Sequence, residues 1–204
     1  MDEWERLRAR LADAGVSGVE DLGRFVSNPE FFGQSRFDER AAMPILVEAL
    51  PELTDAKLVG AVAGHLRRPW ARPHAFSVLM AVFEKWASRD RVTGWHVGDA
   101  AGTTATAAHT ETLLRVCQDS RYGQARQMLV HALGRFKAAP GVKEALLGLI
   151  EDPDVALHAM QALRRVVGPS EALPHLERVE REHQGTQVGE QAMREARKAR
   201  KALA

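Results

Sequence analysis

Apolar positions recur at helical spacing along most of the chain. Trp4, Leu7 and Leu11 stand at i, i+3 and i+7, which predicts an amphipathic helix over residues 2–14. Gly15 and Gly18 bracket a break. Val19, Leu22 and Val26 then predict a second short helix, ended by Asn28-Pro29, because proline disfavours the α region for the residue before it. Phe31, Phe32 and Phe37 fall in the loop that follows; they read as a plug for the open end of a helical stack, with a partner-binding hot spot as the alternative. Asp38 is the expected N-cap of a helix carrying Ala42, Ile45, Leu46, Ala49 and Leu50, with Pro44 expected near the first turn, where its missing N–H removes no bond. Thr54 is expected to cap the next helix, whose stripe is Leu58, Val59, Val62 and Leu66, and Arg67-Arg68-Pro69 ends it. The densest apolar run follows from about Pro73: Phe76, Leu79, Met80, Phe83 and Trp86.

Residues 92–105 are rich in glycine, alanine and threonine and read as a weak joint. Helices are again expected at His109–Cys117 and over 187–204. In the last, Val188, Ala192, Ala196, Ala199 and Leu203 should face inward. Arg194, Arg197, Lys198, Arg200 and Lys201 should face water, as cations that suit a helix C-terminus. No segment combines period-two alternation with β-branched enrichment, so no strand is expected.

The pattern also repeats. Ala132-Leu133-Gly134-Arg135-Phe136 is echoed 30 positions later by Ala162-Leu163-Arg164-Arg165-Val166. Each is followed by a turn signal, Ala139-Pro140-Gly141 and then Gly168-Pro169-Ser170. Glu144-Ala145-Leu146-Leu147-Gly148-Leu149 is echoed 27 positions later by Glu171-Ala172-Leu173-Pro174-His175-Leu176. Ala100-Ala101 and Thr112-Leu113-Leu114 extend the repeat backward in degenerate form. Two helical segments per period of about 30 residues signal an all-α repeat array.

Helix pairs of this length, as in Asp152-Pro153-Asp154-Val155-Ala156-Leu157-His158-Ala159-Met160-Gln161-Ala162-Leu163, resemble HEAT repeats. Ala192 to Leu203 shows the pattern again. The resemblance spans roughly residues 38–204 and is nearest to the short bacterial HEAT-like type also seen in phycobilin lyases; the whole chain is similar to uncharacterised actinobacterial HEAT-repeat proteins. It implies an α-solenoid of antiparallel helix pairs, about five repeats with terminal caps. Residues 1–37 would form an N-terminal cap with the Phe-rich loop, 38–186 the array and 187–204 a capping helix, all in one continuous domain. It further implies binding of proteins or other macromolecules along the superhelical surface.

Composition narrows the function. With 28 basic and 27 acidic residues the net charge is +1, which lacks the basic excess of a dedicated nucleic-acid binder. The single cysteine, Cys117, excludes an intrachain disulfide and a cysteine-based zinc site. The charged N-terminus lacks an apolar signal core and no run of 18 apolar residues occurs, so a cytoplasmic protein is the default expectation. The eight histidines fall at no i, i+3 or i, i+4 pair of the kind a metal helix uses. No phosphate loop and no nucleophile elbow occurs. No catalytic, metal or cofactor site is therefore expected, and the leading expectation is a non-catalytic scaffold or adaptor with a protein partner.

One helix suggests where that partner would sit. If Val97, Ala100 and Ala101 face the core, Trp95 lies about 160° away on the wheel, with Asp99 on its side. Trp95 and Asp99, joined by Arg121, Tyr122 and Arg126 and extended by Trp70 and Arg72, form the candidate partner-binding set. Packing of Trp95 against a neighbouring helix is the plainer alternative. Two other functions stay open: nucleic-acid binding, including a HEAT-like DNA glycosylase in which Trp95 and Asp99 supply the aromatic and the carboxylate, and a lyase or chromophore-handling role by analogy with phycobilin lyases.

Overall fold

The computed structural model describes residues 1–24 and 36–204. Among them every regular element is helical. The chain divides into two compact units, Met1–Thr104 and Ala105–Ala204.

The first unit opens with α1, Glu3–Asp13. A capping box starts it: Asp2 accepts the Glu5 N–H at 2.8 Å, and Glu5 accepts the Asp2 N–H at 3.1 Å. Leu7 and Leu11 are its buried stripe. Gly15 and Gly18 both take positive φ, as the expected break requires. At Gly18 glycine is obligatory, because any Cβ would collide with the Arg36 carbonyl. Only a 3-10 turn, Val19–Asp21, stands where the second helix was expected to begin. Val26, Asn28, Pro29, Phe31 and Phe32 lie outside the described residues. Phe37 is buried, with its ring 4.7 Å from that of His65.

Helix α2 is Glu39–Ala49, and Asp38 caps it by accepting the N–H groups of Arg40 and Ala41. Pro44 is the sixth residue of α2, not part of its first turn. It therefore does remove a helical bond, the one to the Arg40 carbonyl, which the exposure of this face makes tolerable. Helix α3 is Ala56–Leu66, and its cap is Asp55, not Thr54. Thr54 is drawn away by α1: Glu3 accepts its N–H and its hydroxyl, the latter at 2.7 Å, along with the Asp55 N–H. Helices α4, Arg72–Trp86, and α5, Arg91–Thr104, complete the unit. The expected stripe of α4 is buried throughout.

Helix α5 occupies the stretch expected to be a weak joint. It packs on both α3 and α4. Gly94, Gly98 and Gly102 recur every four residues and are buried, as are Val97, Ala100 and Ala101. Small residues here are what a helix enclosed on several sides requires, since a missing Cβ lets a neighbouring element approach.

The second unit contains α6, Thr110–Gln118; a 3-10 segment, Ser120–Arg126, broken at Gly123; and α7, Gln127–Leu133. Then come α8, Val142–Leu149, started by Gly141 at φ 78°, and α9, Ala156–Glu182. Gly168, at φ 82° and ψ 166°, breaks α9 into segments 156–167 and 169–182, so the repeat signal there marks a sharp single-residue turn. Helix α10, Gln187–Leu203, buries Val188, Ala192, Ala196 and Ala199 as expected. Leu203 does not follow: it is 52% exposed at the last turn. The α10 cations are all exposed. Among them Glu195 is fully buried, 2.6 Å from Lys198 and 3.2 Å from Arg164.

Within each unit the principal packings join a helix to the next described helix or the next but one: α1–α2, α2–α3, α2–α4, α3–α5 and α4–α5 in the first; α6–α7, α6–α8, α7–α9, α8–α9 and α9–α10 in the second.

Candidate binding cleft

The first unit holds an open cleft of about 500 Å³. Trp4 on α1 and Gly23, in the turn after it, line one side. A Cβ at Gly23 would come within 2.8 Å of the ring, so a larger residue there would press on the indole. The floor is α3, presenting Gly60 and Ala61, with Lys57 at the rim. Helix α5 supplies Val92, Thr93 and His96.

Local chemistry holds these groups in place. Asp90 accepts the Thr93 N–H at 2.6 Å and starts α5; that bond keeps its carboxyl below the usual aspartate range. The Thr93 hydroxyl donates to the Ala56 carbonyl at 3.2 Å and ties α5 to the first turn of α3. Burial lowers the proton affinity of His96; Asp99 opposes that shift and Arg67 reinforces it, so the imidazole is neutral at neutral pH. Val92 is 56% exposed, one of few large apolar side chains outside the core. The lining is thus mainly apolar, with a neutral imidazole inside and one charge of each sign, Lys57 and Asp90, at its edge.

Gly60 has no steric reason to be glycine. A Cβ there would meet only a His96 ring carbon at 3.7 Å, an ordinary contact. Glycine inside a helix costs about 0.5–1 kcal/mol relative to alanine. What it contributes is space in the cleft.

The residues that sequence reasoning singled out are placed otherwise. Trp95 is half-buried, and its ring meets that of His96 edge-on at 5.3 Å and 87°. Asp99, expected to face outward with it, is buried and bonded to Arg67 at 2.5 Å, because α3 covers that side of α5. Its carboxylate is therefore engaged internally. Trp70 is half-buried in the turn before α4, with the Arg40 guanidinium 5.0 Å from its ring, while Arg72 is exposed at the start of α4. In the second unit Arg121 is exposed and holds Asp119 at 2.6 Å, and its guanidinium lies 6.0 Å from the half-buried Tyr122 ring.

Arg126 is not at the surface. It is 1% exposed, and its guanidinium donates to the Gly123 carbonyl at 3.1 Å, the Cys117 carbonyl at 2.7 Å and Asp152 at 2.5 Å. All of these contacts lie within the second unit. Cys117 itself is fully buried, and burial pushes its thiol far above the usual range, as its reading as a small core residue requires.

A carboxylate–imidazole pair went unnoticed in the sequence. His65 is buried, and its Nδ1 lies 3.1 Å from Glu39. Its Nε2 accepts the Gly23 N–H at 3.1 Å, which requires the ring proton to sit on Nδ1 and point at Glu39. Arg68 grips Glu39 with a two-pronged contact of 2.6 and 2.7 Å. Burial alone would raise the Glu39 carboxyl; the bonds from His65 and Arg68 outweigh it and hold the group lowered. This pair resembles a catalytic dyad, but the nitrogen that would act as base is occupied by backbone.

No family model matches the chain, and no curated protein and no solved structure matches it significantly. Among the described residues no three His, Cys, Asp or Glu side chains gather in a way that holds a metal ion, and no helix is long and apolar enough to cross a membrane.

Proposed function

We propose that this chain is a HEAT-like α-solenoid that acts as a non-catalytic adaptor, holding an apolar side chain of a protein partner in the cleft between Trp4, Gly60 and His96. The reading rests on the order of helix packing within each unit, in which the principal contacts of a helix are with the next described helix or the next but one. Stacked repeats produce that order because each buries its apolar face on its neighbour. Ion pairs in both units support it, joining residues roughly one repeat apart: 29 for Arg68–Glu39, 32 for Arg67–Asp99, 26 for Arg126–Asp152 and 27 for Arg178–Glu151. A protein occupant is favoured because the cleft is open and Val92 extends its apolar lining onto the surface, as interface pockets for anchor residues do.

The test is occlusion. Gly60→Leu fills the floor from within an intact helix. A partner purified with the wild-type protein should lose at least about tenfold in affinity for this variant, since an excluded anchor residue costs 1.4 kcal/mol or more. Arg121→Glu should leave affinity unchanged. Equal binding by Gly60→Leu, or recovery of salt-released nucleic acid in place of a protein, would overturn the reading.

A further inference from the structure

We propose that the side chain held in the cleft is a tyrosine, and that His96 selects it by bonding the phenolic hydroxyl. The proposal names the occupant of the cleft and rests on the binding reading above: the ring is the apolar part already placed there, and the hydroxyl is the addition. Gly60 and Ala61 leave the floor almost without side chains, and Trp4 and His96 line it with rings. A floor so bare, with aromatic rings beside it, suits a planar side chain, because aromatic pairs gain from offset and edge-on contacts beyond the area they bury.

The polar edge of His96 borders that floor. Its atom nearest Gly60 is Cδ2, 3.7 Å from where a Cβ would stand, and Cδ2 is bonded to Nε2. Trp95, meeting the imidazole edge-on at 5.3 Å and 87°, holds the ring in this orientation. The polar groups around it are engaged elsewhere. The Thr93 hydroxyl donates to the Ala56 carbonyl, Asp90 accepts the Thr93 N–H, and Asp99 is bonded to Arg67. Among the described residues none hydrogen-bonds to His96, and neither of its nitrogens is sealed from solvent. An anchor with no polar edge would strip water from Nε2 and return nothing, whereas a hydroxyl replaces that bond. In a neutral imidazole one nitrogen donates and the other accepts. A phenol does both, so it bonds Nε2 in either tautomer, while the N–H of a tryptophan only donates and serves one. Because burial keeps the ring neutral, a carboxylate anchor would find no cation there.

The experiment titrates the full chain, labelled with nitrogen-15, with N-acetyltyrosinamide and with N-acetylphenylalaninamide at about pH 7.5, where the imidazole is neutral. The two probes differ by one hydroxyl. The tyrosine probe should move the Gly60 and Thr93 amide resonances and the His96 ring nitrogens. It should bind about tenfold more tightly than the phenylalanine probe. In His96→Phe a ring remains without its nitrogens, and the two probes should bind alike. Should that variant not fold, the ring-nitrogen shifts of the wild type decide alone. Equal binding of the two probes, His96 nitrogens or a Gly60 amide unmoved by the tyrosine probe, or a tenfold preference retained in His96→Phe would overturn the assignment. Neither probe requires the partner, so the two readings fail separately. Probes that bind at Gly60 without preference remove the tyrosine and leave the cleft; a failed occlusion test beside a clear preference removes the partner from a cleft that still selects the hydroxyl.

Discussion

Arg126 illustrates how a charged residue can be core. Its three contacts satisfy two carbonyls and neutralise Asp152, so removing it uncovers all three acceptors. Arg126→Ala should destabilise the second unit by about 3–5 kcal/mol in urea denaturation, the cost of breaking a buried ion pair. A loss under about 1 kcal/mol would mean the contacts contribute little. The sequence could not reveal this, because the arginine sits at the start of a helix and two of its three acceptors lie 9 and 26 positions away. Gly60 makes the opposite case. Gly60→Ala should stabilise the protein by about 0.5–1 kcal/mol, because alanine is the better helix former and the methyl group meets no obstacle. Thermal unfolding checks the sign. His96 carries a pH prediction. Its folded-state proton affinity is lowered, so the unfolded chain takes up the proton first as pH falls. Its contribution is intact above the unfolded imidazole value of about 6.5 and is lost on acidification through that value toward the lower folded one. The melting temperature should therefore fall less between about pH 7.5 and 5.5 in His96→Asn than in wild type; equal falls would contradict the assignment.

At the scale of elements, patterning read best where a helix has one buried face. The stripes of α3 and α4 are buried as their spacing requires, and Asp38 caps α2 as expected. Patterning failed where a tertiary contact decides between local options. Thr54 and Asp55 are both good caps, and Glu3 from α1 selects Asp55 by occupying Thr54. For α5 the two scales point in opposite directions: its small residues suggest weakness in a helix considered alone but suit one packed on α3 and α4. Hydrogen exchange should accordingly show α5 amides protected to the level of α4. Exchange as fast as that of chain ends would restore the weak-joint expectation. The candidate cleft was half legible: α5 was singled out, but through Trp95 and Asp99, whereas His96 and Val92 line the cavity. Trp4 and Gly23 reach it from distant positions that no local pattern connects. Gly60 is one of two glycines in the apolar helix α3, and only the structure shows that it faces the cleft.

For the whole molecule, the all-α class was written in periodicity, because each amphipathic helix must bury its apolar stripe on a neighbour. What the chain binds was not written there, since fold does not dictate function and binding surfaces are built from residues scattered along a sequence. The central claim is that the first unit's cleft is where a protein partner is held. The most direct measurement is site-specific photo-crosslinking from Val92 at its mouth, in the wild-type background and in Gly60→Leu, with a second crosslinker at the exposed Lys137 as control. One partner should be captured from Val92 through an apolar segment, lost in Gly60→Leu, and not captured from Lys137. Capture that persists unchanged after the cleft is filled would contradict the claim and move the binding surface elsewhere.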